Sequence, residues 1–177
     1  KQGQAMYGVV HGGVHQDLRQ KSCQYLSQLG FDGFAVGGSL GKHVHDLDQV
    51  LSYCQHHLPS SHPRHLLGIA DEAGIDVGVR RGMDTFDSCY PSRAARHGVL
   101  LLPEGRLKIT TTRFRDDFNP IDAACSCWTC KHYSRAYLHH LFKAKEPAAL
   151  TLATLHNMQA MFDRMRRIRQ AILDGVL

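Results

Sequence analysis

A chain of 177 residues is long enough to bury one sizeable core. It holds no run of 18 or more apolar residues and no charged-then-apolar opening segment, so neither a membrane partner nor a secretory leader is expected. Its 21 lysines and arginines against 16 acidic residues suit an anionic partner such as nucleic acid without requiring one.

In chain order, Tyr7-Gly-Val-Val-His11 reads as a strand closed by Gly12-Gly13, followed by a helix with Leu18, Cys23, Leu26 and Leu29 on or near one face. Gly33-Phe-Ala-Val-Gly37 is a second strand, followed by a helix carrying Leu47, Leu51, Cys54 and Leu58. His65-Leu-Leu-Gly-Ile-Ala70 is a third, with a short helix around Ile75 and Val79, and Thr85-Phe-Asp-Ser-Cys89 is a fourth. Alternating strands and helices with short glycine-marked turns argue for an α/β fold with a parallel sheet and right-handed crossovers. Four such units make either a small doubly wound sheet or half of an eight-unit barrel, and half a barrel standing alone exposes two unpaired edges.

From Gly98 the rhythm changes. Val99-Leu-Leu-Leu102, the Pro103-Glu-Gly105 turn and Arg106-Leu-Lys-Ile-Thr110 form a β-hairpin pattern. A helix runs through Tyr133, Tyr137, Leu138 and Leu141, and Glu146-Pro147 opens a last helix, since proline suits a first turn. Its stripe of Leu155, Met158, Phe162, Met165, Ile168 and Ile172 is expected to be core or a dimer contact.

Of six cysteines, Cys23, Cys54 and Cys89 lie among apolar neighbours, where a buried reduced thiol is the default. Cys125, Cys127 and Cys130 crowd into six residues, which an intracellular metal site explains better than a disulfide framework, so a reducing, cytoplasmic compartment is expected. With His156 they supply three thiolates and an imidazole, the ligand set of a closed structural zinc site. His132, His139 and His140 compete for the fourth place. A closed site has no open coordination position, so it belongs to folding rather than to chemistry.

Parallel strands bring their C-terminal ends to one face, where α/β folds bind ligands. His11, Gly37-Gly38, Leu67 to Ala70 and Asp87 converge there. A carboxylate at the end of Thr85-Phe-Asp87 suits a nucleophile toward an acetal carbon, and the bland alternative is that Asp84 or Asp87 caps a turn or pairs with Arg93 or Arg96. Gly37-Gly38 permits a close backbone approach to a flat ligand, or is simply a turn. Basic residues gather at Arg93, Arg96, Arg106, Lys108, Arg113 and Arg115, and again at Arg164, Arg166, Arg167 and Arg169, which fits a phosphate-binding face or a solvated surface.

Gly82-Met-Asp-Thr-Phe-Asp-Ser-Cys-Tyr-Pro-Ser-Arg93-Ala-Ala-Arg96, together with Cys125-x-Cys127-x2-Cys130, Ser134-Arg-Ala-Tyr-Leu-His-His140 and His156-Asn157, resembles the tRNA-guanine transglycosylases across essentially the whole chain. The resemblance implies the second half of a (β/α)8 barrel with an inserted zinc subdomain: residues 1–97 as the barrel half, residues 98–177 as hairpin, zinc-binding subdomain and C-terminal helix. The family's first four units, with its general acid/base, would lie upstream of Lys1. It further implies exchange of guanine at the tRNA wobble position for a free deazaguanine base, in tRNA with a GUN-type anticodon, through a covalent ester of Asp87. His11, Gly38 and Leu67 match base-contacting positions, Arg93 and Arg96 match arginines on anticodon-loop phosphates, one zinc ion is held per chain, and the usual assembly is a homodimer.

Two departures fall in the base pocket. His11 replaces a glutamine, and Gly37-Gly-Ser-Leu-Gly-Lys42 is one residue shorter than the usual bacterial loop, with Lys42 in place of a glutamate. Loss of that carboxylate weakens the case for the cationic pre-queuosine-1 base and makes queuine a serious candidate. The alternative function is a non-catalytic, zinc-stabilised tRNA-binding subunit, against which Asp87 within Phe86-Asp-x3-Pro-x-Arg93 argues. The archaeal type usually carries extra RNA-binding domains, and none is visible here.

Overall fold

The computed structural model describes residues 3–177, which divide into a first unit ending at Ser88 and a second, Cys89–Leu177. The first unit runs β1 (Tyr7–Val10), α1 (Gln16–Leu26), β2 (Gly33–Val36), α2 (Val44–Gln55), β3 (Arg64–Leu66), α3 (Glu72–Arg80) and β4 (Thr85–Phe86). All strand pairs are parallel and the order is β1-β2-β3-β4. A doubly wound sheet needs a reversal of strand order, and this sheet has none.

Register explains which residues are buried. Val10, Val36, Leu66 and Phe86 stand in one row across the sheet. The first three are fully buried against Cys23, Leu47, Leu51 and Cys54 of the helices, and Phe86 packs at the margin. Side chains alternate along a strand, so Val9, Ala35, His65 and Thr85 form a row on the opposite face, where Val9 is 38% exposed.

The expected face of α1 is buried in part: Cys23 lies in the core and Leu26 packs against it. Cys54 is buried likewise, whereas Cys89, also expected to be buried, is exposed. Leu18 and Leu29 are exposed, while Arg19 and Cys23, one turn apart, are fully buried. A leucine at position 19 would have left the carbonyls at the strand ends without a donor.

The second unit comprises α4 (Tyr90–Arg96), the antiparallel hairpin of β5 (Val99–Leu102) and β6 (Gly105–Lys108), a 3₁₀ turn (Thr112–Phe114), α5 (Trp128–His132), α6 (Arg135–Ala144) and α7 (Ala148–Leu173). Its core joins Ala95, Leu100, Leu107, Ile109, Ile121, Leu138 and Ala153. The helix expected through Tyr133 is interrupted. Tyr133 is extended, and Ser134 caps α6 by accepting the Tyr137 N–H at 3.2 Å.

Of the two roles expected of the α7 stripe, core or dimer contact, its most exposed residues do not supply the core. Leu155, Phe162 and Ile172 are 45%, 54% and 49% exposed, whereas Ala149, Ala153, His156, Asn157 and Met161 face inward. Small residues let α7 approach β5 and α4 closely. Asn157 then locks it there, accepting from Leu101 N–H at 2.9 Å and donating to the Pro91 and Val99 carbonyls at 3.0 and 2.9 Å. No helix among the described residues is long and apolar enough to cross a membrane.

Candidate functional site

Beyond the last paired residue of each strand stand His11, Gly37, Leu67 and Asp87, and the alternation of the pleat puts all four on the face opposite the core. Gly38 follows with φ +78°, a left-handed conformation that glycine adopts without strain. A Cβ on Gly38 would lie 3.3 Å from His11 Nδ1, and one on Gly37 would lie 2.7 Å from Leu67 Cδ1. His11 therefore borders Gly38 and Leu67 covers Gly37, so the expected base-contacting residues form one patch. Lys42 is exposed at the mouth of α2, where Asp46 Oδ2 accepts its backbone N–H and that of His43 at 2.8 and 3.1 Å.

Asp87 is the carboxylate of this patch. Its Oδ1 accepts the Gly68 N–H at 2.9 Å and a hydrogen bond from His65 Nε2 at 3.0 Å, and its side chain is 58% exposed. The Gly68 N–H holds the carboxyl below the ordinary aspartate value; partial desolvation opposes this, and the His65 bond adds to the lowering. Asp84 serves a different end of the strand. Its Oδ2 accepts the Arg64 N–H at 2.8 Å, so it joins β3 to β4 where they begin.

The sequence reading missed Arg19. Its fully buried guanidinium donates to four carbonyls: Gly13 at 2.8 Å, Val10 and Gly37 at 2.9 Å, and Ser39 at 3.0 Å. Burial lowers its pKa, yet a guanidinium stays charged at any relevant pH. No carboxylate pairs with it among the described residues. Arg19 thus ties the 11–13 and 37–39 segments, both sides of the patch, to one rigid group. The signal available in the sequence was only an arginine inside a helix that lies between two glycine-ended strands.

Arg93 and Arg96 lie on α4 in the second unit, exposed and three residues apart, so they share a helix face and pair with no carboxylate among the described residues.

The second unit also holds the metal-ligand cluster. Cys125, Cys127, Cys130 and His156 bring their donor atoms within 4.8 Å of one another and could hold a metal ion. His156 Nδ1 is 3.7, 3.7 and 3.3 Å from the sulfurs of Cys125, Cys127 and Cys130. The knuckle forms because Cys127 caps α5, its sulfur accepting the Cys130 N–H at 3.3 Å. The competing histidines are engaged elsewhere: His139 Nδ1 donates to Ile109 O at 2.7 Å, His132 Nδ1 donates to Trp128 O at 2.9 Å, and His140 is exposed. His156 Nε2 donates to Leu101 O at 2.8 Å, which fixes the tautomer and turns Nδ1 to the cluster. Burial pushes the Cys125 and Cys130 thiols up and the His156 imidazole down. Burial thus favours the neutral imidazole that a metal ligand must be, and a bound dication would reverse the bias on the thiols.

A family profile described as queuine tRNA-ribosyltransferase matches residues 1–177. The chain is 49% identical over 176 residues to a queuine tRNA-ribosyltransferase of Protochlamydia amoebophila, covering 99% of the chain and 46% of that protein. Proteins of the same name in Chlamydia trachomatis and Roseiflexus sp. are 48% and 45% identical, each over 97% of the chain and over 46% and 44% of their own lengths. The chain spans about half the length of the curated relatives it matches.

Proposed function

The chain belongs to the queuine tRNA-ribosyltransferase family, and from that premise we propose that it supplies the nucleophile-bearing part of a tRNA-guanine transglycosylase. The observation that carries the reading is Asp87: an exposed carboxylate at the C-terminal end of a parallel strand, with Oδ1 held by two donors and Oδ2 without a hydrogen bond among the described residues. Residues 1–97 act as the C-terminal half of a (β/α)8 barrel, and residues 98–177 as hairpin, metal subdomain and final helix. The reversal-free strand order supports the barrel.

In this mechanism Asp87 Oδ2 attacks C1′ of the wobble nucleotide and the C1′–N9 bond breaks. Guanine leaves with the electron pair and takes up a proton. A free deazaguanine then attacks C1′ through its ring nitrogen and loses a proton, while the ester C–O bond breaks and returns the carboxylate. Two displacements at one carbon restore its configuration. His11 and the Gly38 backbone meet the base edge, Leu67 packs on its plane, and Arg93 and Arg96 hold anticodon-loop phosphates of a GUN-type tRNA. With His11 beside Gly38 and a 37–42 loop one residue shorter than the usual bacterial one, the incoming base is queuine, the larger of the two candidates, in preference to pre-queuosine-1 base.

The metal is zinc and its role is structural. Zinc–sulfur and zinc–nitrogen bonds of about 2.3 and 2.05 Å give a regular tetrahedron S···N edges of about 3.6 Å, and the cluster's edges run 3.3–3.7 Å. Thiolate ligands and a tRNA substrate both fit the cytoplasm. The exposed Leu155, Phe162 and Ile172 support a homodimer contact through α7.

The test is exchange of labelled guanine into a GUN-anticodon tRNA by the full-length gene product. Exchange that disappears in Asp87→Asn supports the reading; tight tRNA binding with no exchange in the wild type would make the protein a non-catalytic tRNA-binding subunit.

A further inference from the structure

Parallel pairing sets His65 directly beside Thr85, with Asp87 two residues further along the same face of β4. The imidazole spans that step. Its Nδ1 is 2.8 Å from Thr85 Oγ1 and its Nε2 is 3.0 Å from Asp87 Oδ1. An ionised carboxylate only accepts, so Nε2 carries the hydrogen. In the neutral imidazole Nδ1 is then the acceptor, and the Thr85 hydroxyl donates to it. Thr85 thereby fixes the tautomer that His65 needs to hold Asp87; His65 and Thr85 are paired across adjacent strands, and Asp87 directly follows the second of them.

We propose that His65, with its tautomer set by Thr85, is a positioning residue for Asp87: it holds Oδ1 back so that Oδ2 is the oxygen presented to the ribose. The inference rests on the reading of Asp87 as nucleophile. A carboxylate held only by the Gly68 N–H can rotate about its Cβ–Cγ bond and exchange its oxygens. A second donor from a different direction fixes the plane. The same arrangement serves the return step. Once Oδ2 is esterified, Oδ1 is the ester carbonyl oxygen, and as the C1′–O bond breaks the returning negative charge spreads onto an oxygen already facing two N–H donors. His65 is well placed for this, because its side chain is 21% exposed while that of Asp87 is 58% exposed. The ring is packed and the carboxylate is open to a ligand.

The experiment uses the full-length gene product and guanine-for-guanine exchange in tRNA, so that base choice does not enter. His65→Leu removes the donor and keeps an apolar side chain of similar reach. It is expected to lower kcat roughly 10- to 100-fold, the range of one hydrogen bond to a charged group, with KM for tRNA within about twofold. His65→Gln restores an N–H donor and is expected to recover most of that loss. Thr85→Val, which removes only the hydroxyl, is expected to lower kcat several-fold, and it carries the test if His65→Leu does not fold. Wild-type kcat in Thr85→Val and in whichever His65 variants fold overturns the proposal, as does a loss confined to KM or a His65→Gln variant as slow as a folded His65→Leu. Asp87→Asn is run alongside for a denaturation-resistant tRNA adduct. An adduct in Asp87→Asn removes the nucleophile reading and this inference with it, whereas no adduct there together with fast His65 variants removes this inference alone.

Discussion

Arg19→Met tests how the strand ends are held. Methionine fills much of the volume of the buried arginine but donates to none of its four carbonyls. The bonds to Gly13 and Ser39 are only partly buried, and water can replace them; those to Val10 and Gly37 are buried and cannot be replaced so easily. At about 1–3 kcal/mol for each buried acceptor left without a partner, the gross cost is about 2–6 kcal/mol. Removing a buried charge recovers part of that, so a net loss of about 1–4 kcal/mol is expected. Urea denaturation of the full-length protein reads it as a lower midpoint at unchanged slope. Because the same four carbonyls belong to the segments around His11 and Gly38, KM for the free base rises more than KM for tRNA. Arg19→Lys, whose single ammonium cannot reach all four, falls between. An unfolding free energy within about 0.5 kcal/mol of wild type would refute the account of Arg19, and so would a stability loss with unchanged KM for the base.

Three further outcomes follow from the site. Cys127→Ser removes one thiolate from the donor set while its hydroxyl can still cap α5, so metal analysis should fall from one zinc per chain to a small fraction, and a wild-type protein purified without zinc would contradict the assignment. In competition for the same tRNA, queuine should be preferred over pre-queuosine-1 base, because the 37–42 loop is one residue shorter than the usual bacterial loop and queuine carries the larger substituent; a clear preference for pre-queuosine-1 base overturns this. Asp87 is expected to titrate below the free aspartate value, led by the Gly68 N–H. Its stabilising contribution is then present above the unfolded value of about 3.9 and lost as pH falls through the lower folded value. Carboxyl NMR titration of the folded protein reads this directly, and a value at or above 3.9 contradicts it.

The alternation of short apolar runs with amphipathic stretches made the four strands and the hairpin legible, and the three crowded cysteines made the metal cluster legible, because both are local patterns. What was not legible depended on what lies opposite. The stripe from Leu155 to Ile172 has helical spacing, but spacing marks a face without saying whether that face is covered. Inward positions went to Ala153, His156 and Asn157, whose small size and specific partners matter more than hydrophobicity. Leu18 gave way to Arg19 on α1 for a related reason. Arginine is ordinarily read as exposed, and only the convergence of four carbonyls at two strand ends makes its burial favourable. His65 was read merely as the first residue of a strand. Its role needs the register that sets it beside Thr85, which no single segment encodes.

The central claim, that Asp87 forms the covalent bond to the ribose, is tested most directly by trapping. Full-length protein is incubated with GUN-anticodon tRNA at limiting free base, denatured, and resolved for a protein–tRNA adduct. Wild type is expected to give the adduct, and adding excess base should discharge it. Asp87→Asn should bind tRNA with wild-type affinity, since the amide is isosteric and Arg93 and Arg96 remain, yet give no adduct, because a neutral amide is a poor nucleophile and cannot stabilise positive charge at C1′. An adduct that persists in Asp87→Asn contradicts the account and assigns the nucleophile to another residue of the full-length protein.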